Sequence, residues 1–342
     1  MPHPLDARLL AGREAARLAG DGYAVRAAFE IEWCVSAGAG DEFVPASRGP
    51  AYGMARLTEL AGYLREILAA LAAQGVAVEQ VHPEYAAGQY EVSVAAADPV
   101  GAADLAVLVR ETVRAVTARN GMRATFAPKV LAGGVGNGGH VHLSLWRDGT
   151  ALMSGGSGRY GLTPRRGLHR RDPGAAARPA RRRRSGGREL PASGALALGR
   201  RVRLLGEGEP GGGAAAGHRL GGERDRAANI EVKCVDLAAN PYLLVAALLA
   251  AGRAGIEAGL RLPEPVEEDP AGMDEESLRK LGIAALPDSL AEAVAAFEND
   301  PVLGAALGPQ VVDTVATVRR GELALFDGAS AEEVVERSRW RY

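Results

Sequence analysis

Four short stretches hold residues whose types and spacing could do chemistry. In Phe29-Glu30-Ile31-Glu32-Trp33, acidic and apolar residues alternate as in a half-buried strand. Residues two apart in a strand share a face, so Glu30 and Glu32 project together, roughly 7 Å apart. Like charges so placed are unfavourable without a positive partner, although an exposed strand face is the plain alternative. In Glu84-Tyr-Ala-Ala-Gly-Gln-Tyr-Glu91 two carboxylates flank a turn centred on Gly88, and a solvated hairpin is the alternative there. In Gly138-Gly-His140-Val-His142-Leu-Ser144, His140 and His142 share a strand face just after a glycine-rich loop whose backbone could approach phosphates closely. The chain has only 6 histidines, which favours a site over two satisfied core imidazoles. Asn229-Ile-Glu231-Val-Lys233 puts an acid and a base on one strand face, which alone reads as a salt-bridged surface.

Together the stretches supply five carboxylates and one or two imidazoles on or beside strands. Oxygen-rich ligation with an imidazole suits Mg²⁺ or Mn²⁺ better than structural Zn²⁺, which prefers cysteine. Two such ions can bridge nucleotide phosphates and neutralise a phosphoryl group in flight, so the chemistry implied is phosphoryl transfer from ATP.

The elements that must position these residues are legible from periodicity. Asp6 to Gly20 reads as an amphipathic helix, Ala24 to Val35 as a strand, and Met54 to Gln74 as a helix stopped by Gly75. Strands follow at Val76 to His82 and Gly88 to Val94, then a helix to Asn120 with Asp98 as N-cap and Pro99 at its first position. Further strands are expected at Arg123 to Lys129, His140 to Trp146 and Asn229 to Val235, and helices at Pro241 to Gly259, Leu286 to Glu298 and Gly308 to Leu323. Strand pairs separated by long helices make the fold α+β, with a largely antiparallel sheet, in a single domain over 1–342.

Composition narrows the function classes. At 342 residues the chain can bury a large core, and a net charge of −2 supplies no field for nucleic acid or anionic membrane. Cys34 and Cys234 lie in apolar runs without metal-ligand spacing and read as reduced core thiols. No signal sequence opens the chain, and the apolar stretch Leu243 to Ala251 is too short to span a bilayer, so a cytoplasmic protein is expected.

The ordered motifs resemble the glutamine synthetase family: a paired-glutamate strand, a glutamate–Ala-Gly-Gln–glutamate turn, a glycine loop with His-x-His-x-Ser, then a glutamate strand. The likeness extends to Arg123-Ala-Thr-Phe-Ala-Pro-Lys129, Asp236-Leu-Ala-Ala-Asn-Pro-Tyr242 and the terminal Arg-Tyr, over roughly 5–164 and 223–342. It implies a curved, guanido kinase-like sheet backed by helices, with ATP and two Mg²⁺ or Mn²⁺ ions as cofactors. By resemblance, Glu32, Glu84 and Glu91 would hold one ion, and Glu30, His140 and Glu231 the other. His142 and Ser144 would lie near the ATP phosphates, the loop with Gly136 and Gly138 would bind through its backbone, and Lys233 would be catalytic, near the transferred phosphoryl group. The implied activity is amide formation at the γ-carboxylate of glutamate through a γ-glutamyl phosphate, with ammonia as acceptor. A γ-glutamyl-amine or polyamine ligase, or a remnant that binds only metal and nucleotide, are the alternatives.

Three features depart from the family pattern. The chain starts almost at the catalytic strand, where the family begins with a β-grasp domain that completes the neighbouring site in its homo-oligomeric rings. Lys233 and Asn229 stand where arginines are common, which points to a divergent branch. Residues 165–222 are almost entirely Arg, Gly, Ala, Pro and Leu, with no aromatic residue, and lack the family's substrate arginines and its Trp-Gly-x-x-Asn-Arg motif. A disordered basic arm is one explanation of that segment, and a nucleic-acid arm through Arg181 to Arg184 another. The preferred one is translation out of frame: Gly208 to Gly217, read one base later, can encode Glu-Asn-Arg-Glu-Ala-Ala-Leu-Arg-Leu. The segment is expected to be irregular and the sheet to lose a strand or covering loop there.

Overall fold

A computed structural model describes residues 3–154, 206–207, 214–217, 227–260, 273–281, 283 and 286–342. Its centre is β1 (Ala24–Ser36), which serves three neighbours at once. Ala24 to Phe29 pair with β5 (Val141–Arg147), Glu30 to Cys34 pair with β3 (Gln89–Val94), and Cys34 to Ser36 pair with β4 (Arg123–Thr125), all antiparallel. β2 (Val78–Pro83) flanks β3, and β9 (Asn229–Val232) flanks β5. The described strands run β2-β3-β1-β5-β9-β8-β7, with β6 (Thr150–Ala151) hairpinned onto β5.

Alternation along β1 separates core from site. Phe29, Ile31, Trp33 and Val35 are buried on one face, where α4 (Pro99–Arg119) covers the sheet. α1 (Ala7–Gly20) and α5 (Pro241–Glu257) pack with α4, and all three contribute to one continuous core. Their starts follow the expected chemistry: Asp98 and Asn240 accept amide protons from the first turns, each followed by proline. Beneath the sheet, Trp33 Nε1 donates to the Tyr63 hydroxyl, which also bonds to Thr117 Oγ1, so these buried polar groups are satisfied.

Several boundaries differ from the sequence expectation. The helix expected over 54–74 is broken into α2 (Met54–Glu59) and α3 (Ala61–Ala73). The break follows from competition at Arg56, whose carbonyl accepts the Tyr90 hydroxyl at 2.9 Å while the ladder bond from Leu60 stretches to 3.4 Å. Only three residues of 123–129 remain in a strand, because the chain then turns to meet the C-terminal residues: Phe126 N donates to Tyr342 O, and Thr125 Oγ1 bonds to Arg339 O. The strand at 229 ends at Val232, so Lys233 lies just beyond it. α6 (Glu275–Lys280), α8 (Pro301–Leu307) and α10 (Ala331–Ser338) were not expected, although Ser330 and Glu333 form a capping box that signals α10. α7 (Leu290–Glu298) and α9 (Pro309–Leu325) match the expected C-terminal helices closely.

Residues 165–222 were expected to be irregular and to cost the sheet a strand or a covering loop. Instead β8 (Ala214–Gly217) pairs antiparallel with β9, and β7 (Gly206–Glu207) lies parallel to β8. Ladder hydrogen bonds use backbone alone, so an Ala-Ala-Ala-Gly run can supply them. The rest of that segment, including Arg181 to Arg184 and the frame reading, lies outside the described residues. No single described helix is long and apolar enough to cross a membrane.

One glycine is demanded by the geometry of the site-bearing turn. Gly88 has φ +71, and a Cβ there would sit 2.7 Å from Val35 O, against β1. Gly88→Ala is therefore expected to cost about 2–4 kcal/mol through left-handed strain and collision. Urea denaturation monitored by tryptophan fluorescence measures it.

Candidate metal centre

Strand register assembles the site. Glu32 on β1 lies opposite Glu91 on β3, and Glu91 lies opposite His82 on β2. On the other side, Ala28 of β1 lies opposite His142 on β5, which lies opposite Glu231 on β9. Directly opposed residues share a face, with Cβ atoms about 5 Å apart. The two rows thus flank Glu30, whose amide donates to His140 O at 2.9 Å.

The side chains close the gap. Glu30 Oε2 meets His140 Nδ1 at 2.9 Å, and Glu30 Oε1 meets His142 Nε2 at 2.8 Å. His140 Nδ1 is 3.3 Å from Glu231 Oε1, while His140 Nε2 is 3.8 Å from Glu32 Oε1. Three triads offer ligand atoms all within 4.8 Å of one another: Glu30, Glu91 and His140; Glu30, His142 and Glu231; His82, Glu84 and Glu91. The structure thus brings together Glu30, His140 and Glu231 as expected. His142, expected beside ATP phosphates, sits inside the carboxylate cluster, with its Nδ1 on Asn229 Oδ1 at 2.8 Å. His82 was missed, and its signal was the strand pairing that sets it against Glu91, at 3.3 Å. Glu32 stands apart from these triads, its Oε2 taken by Gln89 Nε2 at 2.7 Å. Ser144 Oγ accepts from Trp146 Nε1, and Lys233 Nζ lies 2.5 Å from Glu231 Oε1.

A buried scaffold holds these groups. Besides Glu32, Gln89 Nε2 meets Gly136 O at 2.9 Å and Asn137 Oδ1 at 3.0 Å, joining β3 to the glycine loop. Arg56, 3% exposed, donates to the carbonyls of Gly49, Glu84, Tyr85 and Ala86 and so clamps the turn that carries Glu84. Gln89 entered the sequence reading only as part of the glutamate–Ala-Gly-Gln–glutamate turn, and Arg56 not at all, because a lone Arg carries no pattern. Gly138 is the closest approach of backbone to the cluster, since a Cβ there would lie 2.5 Å from both Glu32 Oε1 and His140 Nε2.

Burial and mutual repulsion shift several of these groups. Burial pushes the Glu32 carboxyl up to about 7, opposed by the Gly138 amide and His140 and reinforced by the charges of Glu84 and Glu91. Burial and then Glu91 raise Glu84. At Glu30 burial alone would raise the carboxyl, but the bonds to His140 and His142 outweigh it and hold Glu30 well below the usual range. His82 is pushed up to about 9, chiefly by its bond to Glu91. Burial opposes the charging of His140 and His142, yet Glu30 raises both. The donor set of carboxylates with one or two imidazoles fits a hard divalent cation.

Comparison with known proteins agrees with this geometry. The family described as glutamine synthetase, catalytic domain, matches residues 4–166 and 215–338. Gamma-glutamylpolyamine synthetase GlnA3 of Streptomyces coelicolor is 49% identical over 356 aligned residues, covering 100% of this chain and 74% of that protein. Glutamine synthetase of Methanocaldococcus jannaschii is 32% identical over 291 residues, covering 82% of this chain and 61% of that protein. The crystal structure of a novel glutamine synthase homolog superposes with a TM-score of 0.79 at 29% identity, covering 100% of this chain and 76% of that one.

The pKa shifts set a pH dependence for the metal-free protein. Raised groups bind protons more tightly folded than unfolded, so their effect on folding grows less favourable as pH rises. For Glu32 that loss runs from about 4.5 to about 7, and for His82 from about 6.5 to about 9. A divalent cation must displace the same protons. Metal-free Tm should therefore fall between pH 6 and pH 9, while the Tm gain on adding Mn²⁺ grows over that interval; scanning calorimetry at several pH values checks both.

Proposed function

The chain belongs to the glutamine synthetase family through its catalytic domain, and on that premise we propose that it is an ATP-dependent ligase joining the γ-carboxylate of glutamate to an amine of the polyamine class. The observation that carries the acceptor class is the 49% identity, over the whole chain, to a gamma-glutamylpolyamine synthetase. Against glutamine synthetases the identity is 31–33% over 71–82% of this chain. Ammonia, the acceptor implied by the family resemblance alone, becomes the second reading. Lysine in place of arginine at Lys233 and asparagine at Asn229 fit a divergent branch.

In this reading Glu30, His140 and Glu231 hold one divalent ion, and Glu84 and Glu91, with Glu32 close by, hold a second, Mg²⁺ or Mn²⁺. The ions, when bound, neutralise phosphate charge during transfer of the γ-phosphoryl group of ATP to the glutamate γ-carboxylate. His140 would hold the first ion beside Glu30 and Glu231, and His142, oriented by Asn229, would lie close to the nucleotide phosphates. Lys233 places a fixed positive charge at the Glu231 edge, where negative charge develops on phosphoryl oxygens, although it lacks the bidentate fork of arginine. The loop 132–139 brings backbone to the cluster at Gly138, and Gly136 is tied to Gln89. Amine attack on the acyl phosphate then forms the amide, with phosphate leaving and a proton lost from the amine nitrogen. The carboxylate-rich face favours a cationic acceptor. Two free cysteines are in keeping with a cytoplasmic setting.

The interruption in the family match, residues 167–214, lies within the segment read as out of frame, which supports that reading. Sequencing the gene across codons 160–225 tests it. For the ligase, the frame-restored chain is assayed for phosphate release with Mg²⁺·ATP, glutamate and either ammonium, putrescine or spermidine. A kcat/KM at least tenfold higher for the polyamines is expected, with γ-glutamyl-amine detected by mass spectrometry. Preference for ammonium selects the second reading, and no release with any amine ends the ligase proposal. Lys233→Gln should lower kcat about 100-fold or more while Mn²⁺ still binds.

A further inference from the structure

Arg339, Trp340 and Tyr342 lie outside the carboxylate cluster, yet they hold the segments that frame it. Arg339 is 8% exposed; its Nε donates to Val130 O at 2.9 Å, and its Nη1 to Asp41 O at 3.5 Å. Trp340 Nε1 donates to the same Asp41 carbonyl at 2.8 Å, and the Arg123 guanidinium stacks 4.1 Å from the centre of the Trp340 ring. Main chain adds two ties: Arg339 O accepts from Thr125 Oγ1, and Tyr342 O accepts from Phe126 N at 3.2 Å. Val130 leads into the glycine loop, and Asp41 lies between β1 and α2. One short segment therefore joins both loops to the end of β4. A buried guanidinium must find acceptors, and among the described residues those of Arg339 are loop carbonyls. Such bonds restrain backbone, since a carbonyl that moves away leaves a buried charge unpaired.

The glycine loop carries that restraint to the cluster. Asn137, 4% exposed, donates its backbone amide to Pro128 O and its Nδ2 to Ala127 O, both at 3.0 Å. It thus sits on the segment that Thr125 and Phe126 tie to residues 339–342. Its Oδ1 accepts from Gln89 Nε2, which also holds Glu32. One residue on, the Gly138 backbone has no room to shift toward Glu32 Oε1 or His140 Nε2. α10 itself packs in a separate small cluster of Phe326, Ala329 and Val334.

We propose that Arg339 is a positioning residue: with Trp340 it straps the glycine loop and the β1–α2 loop to β4, and through Asn137 it sets the distance between the Gly138 backbone and the Glu32–His140 pair. The consequence for metal binding rests on the reading of the cluster as a metal centre; the strap itself does not.

The test is amide hydrogen exchange and Mn²⁺ calorimetry on the full chain for Arg339→Met, Arg339→Lys and, as control, Arg337→Met. Arg337 donates to Leu325 O and stacks on Phe326, so its loss weakens the small α10 cluster without touching either loop. In Arg339→Met, exchange at the Asn137 and Gly139 amides should quicken about tenfold or more while α4 keeps its protection. Mn²⁺ should bind about three- to tenfold more weakly, just under the usual cost of removing outer support from metal ligands. Arg339→Lys, which keeps the charge but not the fork, should fall between wild type and Arg339→Met, and it carries the same test if Arg339→Met does not fold. Arg337→Met should leave both readouts within about twofold of wild type. Unchanged exchange at Asn137 and Gly139, equal quickening in Arg337→Met, or a loss that spreads to α4 overturns the proposal, as does unaltered Mn²⁺ affinity beside a loosened loop. Wild type that binds no Mn²⁺ ends the metal reading alone, and exchange then decides the strap by itself.

Discussion

The pairing of β1 with both β3 and β5 is the constraint on which the site depends. It sets Glu32 against Glu91 and, through β5, His142 against Glu231, with Glu30 between the two rows. A one-residue slip of β1 would send the carboxylates into the helix-covered core and bring Ile31 and Trp33 to the open face. The apolar half of β1 therefore fixes the polar half. Burial of Phe29, Ile31, Trp33 and Val35 supplies the driving force, and the acids are carried to the opposite side by the period of the strand.

Like charges gathered in this way must be held against their own repulsion. His140 and His142 both meet Glu30, and His82 lies between Glu84 and Glu91. A hydrogen-bonded scaffold does the rest. Gln89 fixes Glu32, Asn137 anchors the glycine loop to Ala127 and Thr125 carbonyls, and Arg56 holds the turn ahead of β3. These groups are buried, so removing one partner would leave others unsatisfied, which makes the arrangement rigid. Rigidity keeps the carboxylates and imidazoles of the cluster at fixed spacing.

Much of this was legible in the sequence, and what was not has physical reasons. The acid alternation of β1, the turn at Gly88 and the two histidines after the glycine loop all follow from period-two patterning and glycine chemistry. Strand boundaries and the break between α2 and α3 were not legible, because they are decided by tertiary bonds such as Tyr90 to the Arg56 carbonyl. His82 and the placement of His142 needed the register, which depends on which strands pair and not on any local signal.

The segment 165–222 bears unequally on the two halves of the protein's chemistry. Every side chain of the cluster comes from outside it, and its one described contact with the site is backbone pairing of β8 along β9. That pairing supports the edge of the strand bearing Glu231 without requiring any particular side chain. The cradle can therefore form with a sequence that lacks the family's substrate arginines, because main-chain ladders are indifferent to residue type in a way that binding of a carboxylate substrate is not. Assembly of the cluster, which rests on β1, β3, β5 and β9, is thus separable from recognition of a carboxylate substrate by side chains.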